Sequence, residues 1–219
     1  MSTAIVLGAT GLVGGELVKL LLADDRFDKV KVFVRHSTEL RAPKLEEHIV
    51  NFDQPDTWRA LVKGNVLFSA LGTTIGKAGS KEAQYKVDYT YQYQMAEIAA
   101  DNGCTTYALV SAAWSSPDSK IFYSRMKGEL ERDVQKLPFQ NIHIIRPGAL
   151  TGDRKEKRTG EIISVGIMNI ISRIPGLHQL KPIHGKEVGQ ALINASLKEG
   201  HGIHTYTLGE VFKLAEGRL

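Results

Sequence analysis

The sequence predicts an α/β protein with one doubly wound, mostly parallel β-sheet and a small irregular C-terminal region. Two observations predict this class. An apolar segment at residues 4–7 runs directly into a glycine-rich turn that opens a helix, and strand-like and helical segments then alternate as far as about residue 150. Strands that alternate with helices are joined by crossovers, lie parallel and are covered on both faces of the sheet.

The order of the elements follows from the spacing of apolar residues and from turn signals. Strands are predicted at residues 4–7, 30–34, 48–52, 66–71, 106–111 and 142–145. Helices are predicted after the glycine-rich turn, at 56–63 (short), at 83–100 and at 123–137, with Asn102-Gly103 ending the third of these. A further helix is predicted over the apolar stretch 161–174, which Pro175-Gly176 ends. We expect this stretch to pack on the sheet and also to wall a pocket, with a partner surface or shallow membrane contact as the alternatives.

Composition limits the kind of protein. The net charge of +4 is spread along 219 residues, so no nucleic-acid partner is expected. Cys104 is the only cysteine, which excludes an internal disulfide and favours a reducing compartment. The first strand begins within a few residues of Met1, and no apolar run reaches the ~18 residues of a membrane span. These features predict a cytoplasmic protein without a membrane span, and the assembly we consider is a homodimer.

The turn after the first strand reads Gly8-Ala9-Thr10-Gly11-Leu12-Val13-Gly14. Its glycines permit a tight turn and close approach of a pyrophosphate, which lies at the helix N-terminus among unpaired N–H groups. Glycine clusters also occur in ordinary loops, but the flanking strand and helix favour a dinucleotide site in a Rossmann fold. We predict cofactor contacts from Gly8, Thr10, Gly11, Leu12, Val13 and Gly14.

The residues after the next strands indicate which dinucleotide binds. NAD-selective sites place a carboxylate at the end of the second strand, whereas this chain has Val34-Arg35-His36. Arg35 suits the 2′-phosphate of NADP(H), with NAD(H) less favoured, unless it is an ordinary surface arginine. Asp53 either accepts a hydrogen bond from the adenine amino group or caps the next helix. Leu71 and Gly72 follow the fourth strand and fit a close backbone approach to the cofactor or a plain turn.

A tyrosine and a lysine four residues apart begin the helix after the fifth strand. Tyr123 and Lys127 share one helical face, and a neighbouring ammonium lowers the pKa of a tyrosine toward neutrality. Such a pair can move a proton in catalysis. Ser111, at the end of the fifth strand, could polarise a carbonyl oxygen or cap local backbone groups, and Ser115 and Ser116 compete for that role.

These residues resemble a known family when they are taken as an ordered set. The glycine turn, Ser111, Tyr123-x-x-x-Lys127 and Arg146-Pro147-Gly148 occur in the order found in short-chain dehydrogenases/reductases. Over about residues 4–175 the chain is most similar to the atypical branch that contains the Tat-interacting oxidoreductase-like proteins. The stretches that carry this are Leu109-Val110-Ser111, Tyr123-Ser124-Arg125-Met126-Lys127-Gly128-Glu129, Arg146-Pro147-Gly148 and Asp153-Arg154.

The resemblance implies roles for these residues. Tyr123 would be the general acid/base, Lys127 would lower its pKa and hold the nicotinamide ribose, and Ser111 would steady the substrate oxygen. Arg146 and Pro147 would contact the cofactor. One departure concerns the asparagine that many relatives use in a proton relay: it has no obvious equivalent, and Val87-Asp88 lies in the corresponding helix.

The sequence thus predicts an NADP(H)-dependent oxidoreductase acting on a small carbonyl or alcohol substrate. It predicts a single domain, residues 1–219, in which 151–219 contribute the substrate-side region. Two alternatives stay open: a non-catalytic NADP(H)-binding sensor or interaction protein, and a nucleotide-sugar epimerase or dehydratase. The loose spacing of His201 and His204, without a cysteine or carboxylate cluster, does not predict a metal site.

Overall fold

The computed structural model describes residues 2–152 and 181–219. Within these ranges the strands are β1 (Thr3–Leu7), β2 (Lys29–Val34), β3 (Leu45–Ile49), β4 (Val66–Ser69), β5 (Thr106–Val110), β6 (Asn141–Arg146), β7 (Leu150–Thr151), β8 (Ile183–His184) and β9 (Gly202–Thr207). The α-helices are α1 (Leu12–Ala23), α2 (Ile75–Ala78), α3 (Lys81–Tyr85), α4 (Tyr91–Asp101), α5 (Phe122–Val134), α6 (Gly185–Ser196) and α7 (Gly209–Ala215).

Seven of these strands form one sheet in the order β3-β2-β1-β4-β5-β6-β9, with every neighbouring pair parallel. The predicted doubly wound parallel sheet is therefore confirmed. The chain moves outward from β1 in one direction through β2 and β3, and then in the other direction from β4. Because β1 and β4 are neighbours, the strand order reverses between them, and ligands of such sheets bind at the carboxyl ends of the strands at this point.

Both faces of the sheet are buried, as side chains that alternate along a strand require. On one face, Val6 of β1 packs in a cluster with Leu17 of α1 and Leu192 of α6. On the other face, Ile5 packs in a second cluster with Met95 of α4 and Leu130 of α5. Helices on both sides thus hold the sheet rigid, and this rigidity fixes the positions of the loops at the carboxyl ends of the strands.

Several element boundaries differ from the sequence prediction. Strand β3 begins at Leu45, earlier than the predicted 48–52, because its charged residues Glu46 and Glu47 are tolerated at a sheet edge. The predicted short helix 56–63 is two 3₁₀ turns, Pro55–Thr57 and Arg59–Leu61. The predicted helix 83–100 consists of α3, one turn of π-helix at Lys86–Thr90 (the π turn) and α4.

The C-terminal part is more regular than its sequence suggests where the structure describes it. Helix α6 lies against α1, and glycines permit this close contact: a Cβ on Gly185 would lie 2.8 Å from the carbonyl oxygen of Leu12, and one on Gly189 would lie 3.3 Å from the backbone of Leu17. Strand β9 then completes the sheet beside β6. The predicted helix over 161–174 lies outside the described residues. Among the helices that are described, none combines the length and the apolar character needed to cross a membrane.

Candidate functional site

The glycine turn after β1 is packed directly against the loop after β4. Gly8 has a positive φ of 91°, and a Cβ there would lie 2.6 Å from backbone atoms of Ala70 and Leu71. A Cβ on Gly14 would lie only 2.1 Å from the carbonyl oxygen of Gly8. Only glycine is therefore compatible with both positions, and the turn holds a fixed shape at the point where the strand order reverses.

The N-terminus of α1 has the features of an anion site. Its N-cap residue is Gly11, no side chain caps it, and no acidic residue lies in its first turn. Gly11 donates its N–H to the carbonyl of Gly8 (2.9 Å), which closes the turn. Thr10 is exposed and Leu12 half-buried at this end, whereas the side chain of Val13 is buried in the core. The backbone N–H groups here can hold a pyrophosphate, so the turn fits a dinucleotide.

The two polar residues predicted beyond the turn differ in their surroundings. Arg35 directly follows β2 and is exposed, and no ion pair of its guanidinium is seen within the described ranges. Asp53 accepts hydrogen bonds from Lys86 (2.7 Å) and from the hydroxyl of Tyr91 (2.8 Å), which together hold the pKa of its carboxyl below its usual value. It does not cap the following turn, whose N-cap position is Gln54.

The predicted catalytic serine lies where the sequence places it, one residue beyond β5. Ser111 is buried, and its Oγ lies 3.2 Å from Oγ of Ser115. Because Ser115 donates its hydroxyl proton to the carbonyl of Ala112 (2.7 Å), the hydroxyl of Ser111 donates to Ser115. Ser115 therefore orients Ser111. Ser116 instead bonds through its backbone N–H to the carbonyl of Ser124 in the first turn of α5.

Helix α5 lies close to the loop after β5 that carries Ser111, Ser115 and Ser116 (the serine loop). A Cβ on Gly128 would lie 2.2 Å from the backbone carbon of Ser116 and 2.3 Å from the nitrogen of Pro117. The residue after Lys127 must therefore be small for the loop and the helix to meet. Tyr123, in the first turn of the same helix, keeps 42% of its surface exposed, so its phenol is accessible to a ligand.

Lys127 is almost completely buried, and its Nζ lies 3.2 Å from Oδ1 of Asp88 on the π turn. Burial opposes the charged form, but the carboxylate of Asp88, with further contributions from Tyr123 and Glu131, outweighs it and raises the pKa of Lys127. The lysine is therefore an ammonium at neutral pH. The other oxygen of Asp88 accepts the backbone N–H of Thr73 at 2.7 Å, in the loop after β4.

A second buried carboxylate lies one helical turn beyond Lys127. Glu131 accepts a hydrogen bond from Nε of Arg146 (3.0 Å) and a second, short one from Nη2 of the same guanidinium. The side chain of Arg146 thus binds Glu131, while the Pro147 carbonyl accepts the N–H of Ala113 and joins the loop after β6 to the serine loop.

Sequence reasoning did not find Asp88 or Glu131 as members of the site. The four-residue spacing between Lys127 and Glu131 was a signal for Glu131. Asp88 was noticed only as a departure from a family pattern, although a charged residue inside an otherwise helical apolar pattern is itself a signal. His201 and His204 belong to the end of the chain around β9, and no group of three or more metal-ligating side chains is found in the part of the chain that the structure describes.

Contacts therefore connect the glycine turn to the candidate catalytic residues. Gly8 touches the loop after β4, Thr73 in this loop bonds to Asp88, and Asp88 bonds to Lys127. All of these residues lie at the carboxyl ends of β1, β4 and β5 or on the helices that follow. This arrangement defines a nucleotide-binding protein of the Rossmann type with polar and titratable side chains beside its glycine turn.

Comparison with known proteins agrees with this class. The family model described as NAD(P)H-binding matches residues 8–167. Protein FMP52 of Saccharomyces cerevisiae is 36% identical over 202 residues, which cover 88% of this chain and 87% of that protein, and FMP52 of Candida glabrata is 37% identical over 203 residues, covering 90% and 86%. The chain belongs to the NAD(P)H-binding family and is a relative of the FMP52 proteins.

Both of these relatives are named mitochondrial, and this corrects one expectation. The prediction of a cytoplasmic protein is wrong on this comparison. It rested on a single cysteine and on an early first strand, and neither feature distinguishes one reducing compartment from another.

Solved structures show the same fold at low identity. MoeE5, in complex with UDP-glucose and NAD, superposes with a TM-score of 0.70 at 15% identity, covering 98% of this chain and 81% of that one. WbmH of Bordetella bronchiseptica, in complex with NAD⁺, gives a TM-score of 0.70 at 15% identity, covering 99% and 80%. UDP-glucose 4-epimerase of Thermotoga maritima gives 0.68 at 11%, covering 98% and 81%.

Proposed function

We propose that this protein is an NADP(H)-dependent oxidoreductase that interconverts a small carbonyl compound and its alcohol. The observation that carries the proposal is the chain of contacts from the phosphate turn at Gly8 to the buried ammonium of Lys127. Membership of the NAD(P)H-binding family supports the cofactor class. We further assign the chain to the atypical short-chain dehydrogenase/reductases of the Tat-interacting oxidoreductase-like branch, on the motifs around Ser111, Tyr123 and Arg146.

The end of β2 favours NADP(H) over NAD(H). A carboxylate that would bind the ribose 2′-hydroxyl of NAD is replaced there by Arg35, which is exposed. A guanidinium presents a planar set of donors and a full charge to a 2′-phosphate. Asp53 is a weaker candidate for the adenine amino group, because Lys86 and Tyr91 already bind one of its oxygens. Leu71 and Gly72 would contact the dinucleotide through their backbone.

The chemistry needs one proton and one hydride. When held at the glycine turn, NADP(H) would supply the hydride to the substrate carbon or accept it from there. Tyr123 gives a proton to the carbonyl oxygen, or takes it from the alcohol in the reverse direction, and the ammonium of Lys127 on the same helical face stabilises the phenolate that this leaves. Ser111 supports the same oxygen by turning its hydroxyl proton from Ser115 to the substrate, which leaves Ser115 bound to the Ala112 carbonyl. Arg146 and Pro147 contribute backbone at the nicotinamide end, since the guanidinium binds Glu131.

Residues 1–219 form a single domain, with 151–219 on the substrate side, and the names of the relatives support a mitochondrial location. An epimerase or dehydratase acting on a nucleotide sugar is the second candidate, since the structural neighbour MoeE5 holds UDP-glucose together with NAD. The match covers 81% of the MoeE5 chain and 81% of the UDP-glucose 4-epimerase chain.

The proposal is tested by separating cofactor binding from turnover. The purified protein is titrated with NADPH and NADH by fluorescence, and NADPH oxidation is then followed against a broad panel of aldehydes and ketones. We expect NADPH to bind more tightly and at least one carbonyl compound to be reduced. Equal affinity for the two cofactors would remove the NADP assignment. Binding without any turnover would favour a sensor, which a comparison of partners captured with NADP⁺ and NADPH tests.

The variant Tyr123→Phe decides whether the tyrosine takes part in the reaction. It should bind NADPH normally and lose most of the turnover, because phenylalanine keeps the ring but has no proton to exchange. Tyr93→Phe removes the same group from helix α4, outside the first turn of α5 that carries Tyr123, and should keep full activity. Full turnover in Tyr123→Phe would exclude Tyr123 from the mechanism.

A further inference from the structure

Asp88 makes two contacts that no other described residue combines. Its Oδ1 lies 3.2 Å from Nζ of Lys127, and its Oδ2 accepts the backbone N–H of Thr73 at 2.7 Å. A Cβ on Gly72 would also lie 3.2 Å from Oδ1, so the loop after β4 passes directly over the carboxylate. One side chain thus joins the loop that we assign to the cofactor with the ammonium that we assign to catalysis.

The π turn presents Asp88 in this position and is itself held in place. Its wider turn changes the backbone hydrogen-bonding pattern of the helix, and the amide of Gln92 donates to the Asp88 carbonyl at 2.6 Å. The other end of the Gln92 amide accepts a hydrogen bond from Oγ of Ser69 in β4 (2.7 Å). The helix is therefore fixed to the sheet at the residue that carries the carboxylate, which limits its freedom to move away from Lys127.

The charges around Lys127 show why Asp88 is needed. Glu131, on the same helix, is the other carboxylate near the ammonium, but it is bound by the guanidinium of Arg146. Tyr123, on the same helix, is a further titratable group that acts on Lys127. Asp88 is thus the buried counter-charge of Lys127, and a buried ammonium without one is strongly disfavoured.

We propose that Asp88 is a positioning residue that joins the Lys127 ammonium to the loop after β4, so that cofactor contacts and the charge of Lys127 depend on one carboxylate. This proposal rests on the proposed function for the roles of Lys127 and the loop. In this proposal Asp88 contacts neither the substrate nor the cofactor. The Asp88 carboxylate fixes the Lys127 ammonium, which takes part in proton transfer, relative to the loop after β4, which contacts the cofactor.

The direct test follows the titration of Lys127 by NMR in protein with ¹³C-labelled lysine side chains, with its signal assigned from its loss in Lys127→Gln. In the parent protein Lys127 should stay protonated beyond the ordinary lysine value of about 10.4. In Asp88→Asn, which retains an oxygen for Thr73 but loses the charge, the pKa of Lys127 should fall by about two units or more. An unchanged titration in Asp88→Asn would overturn the proposal.

Asp133→Asn is the matched control. Asp133, on α5, is also a carboxylate bound to the π turn, through the hydroxyl of Tyr89, but its ion pairs are with Arg132 and Lys136 and not with Lys127. Its removal should leave the titration of Lys127 unchanged. A shift as large as that in Asp88→Asn would show a general effect of lost charge and would also overturn the proposal.

Two further measurements keep the proposal separate from the proposed function. NADPH titration should give an affinity about tenfold weaker or more for Asp88→Asn, and parental affinity for Asp133→Asn. If the parent protein binds no NADPH, the proposed function fails while the Lys127 titration still tests Asp88. If Asp88→Asn does not fold, Asp88→Asn combined with Lys127→Gln removes the unpaired charge. Folding of the double variant supports the pairing, and its failure to fold contradicts it.

Discussion

Glu131 and Arg146 form a two-point ion pair between helix α5 and the end of β6. Nε of Arg146 donates to Oε1 of Glu131 at 3.0 Å, Nη2 donates to Oε2, and only 3% of the Glu131 surface is exposed. Since Lys127 lies one helical turn before Glu131 on α5, the pair also fixes the rotation of the helix that carries Lys127 and Tyr123. Arg146, which the family resemblance assigns to the cofactor, is thus bound through its side chain to Glu131.

Breaking this pair should destabilise the protein. Glu131→Gln leaves the Arg146 guanidinium without its counter-charge, and we expect the free energy of unfolding in urea to fall by about 2 kcal/mol or more. Arg132→Gln is the control, because its pair with Asp133 is half-exposed and should change stability by less than about 0.5 kcal/mol. Equal effects of the two changes would show that burial does not decide the strength of these pairs.

Adjacent glycines in the turn should respond differently to alanine. A Cβ on Gly14 would lie 2.1 Å from the carbonyl oxygen of Gly8, so Gly14→Ala must displace the glycine turn. We expect this variant to lose NADPH binding and about 2 kcal/mol of its free energy of unfolding. A Cβ on Gly15 would lie 3.4 Å from the oxygen of Ala9, an ordinary contact. Gly15→Ala should keep NADPH binding and gain up to about 1 kcal/mol. Thermal unfolding and fluorescence titration measure both; normal binding in Gly14→Ala would contradict the turn's role.

Arg35 should determine the preference for NADPH. Arg35→Glu replaces a guanidinium by a charge that repels the 2′-phosphate, so NADPH affinity should fall about tenfold or more, while NADH affinity stays or rises. Arg59→Glu is the control for a charge reversal far from the glycine turn: the Arg59 carbonyl bonds to Asn102 before β5, which places it at the amino ends of the strands. Because Arg59 pairs with Asp56 and Asp101, the comparison uses cofactor affinity and not stability. A preserved NADPH preference in Arg35→Glu would assign the phosphate to another residue.

The sequence predicted the parts of this protein that depend on local pattern. The apolar strands and the glycine turn predicted the parallel sheet, because runs of apolar residues and closely spaced glycines can be recognised in the sequence. The π turn was not predicted, since Gln92, which donates to the Asp88 carbonyl four residues earlier, is itself held by Ser69 of the sheet, 23 residues away along the chain. The partners of Lys127 and Arg146 were not predicted for the same reason: they join residues 39 and 15 positions apart, and only the folded sheet brings them together.

The pH dependence of stability should contain a contribution from His143. This residue of β6 is 1% exposed, its ring stacks on His204 at 5.3 Å, and neither ring nitrogen has a partner within the described part of the chain. Burial lowers the pKa of His143 to about 4, and the charges of His204 and Lys198 add to the effect. In the unfolded chain the ordinary histidine value is about 6.5, so the unfolded state binds a proton first as the pH falls.

The sign and size of the effect follow from this difference. Above about pH 6.5 His143 is neutral in both states and adds no pH dependence to the stability. Between about pH 6.5 and 4 the unfolded state binds a proton that the folded state does not bind. This difference lowers the free energy of unfolding by about 3 kcal/mol. Urea unfolding across this range should therefore show a smaller loss in His143→Leu than in the parent protein. His201→Leu, which removes an exposed histidine near β9, is the control and should retain the parental slope. Parallel pH profiles for His143→Leu and the parent would show that acid destabilisation comes from the carboxylate pairs instead.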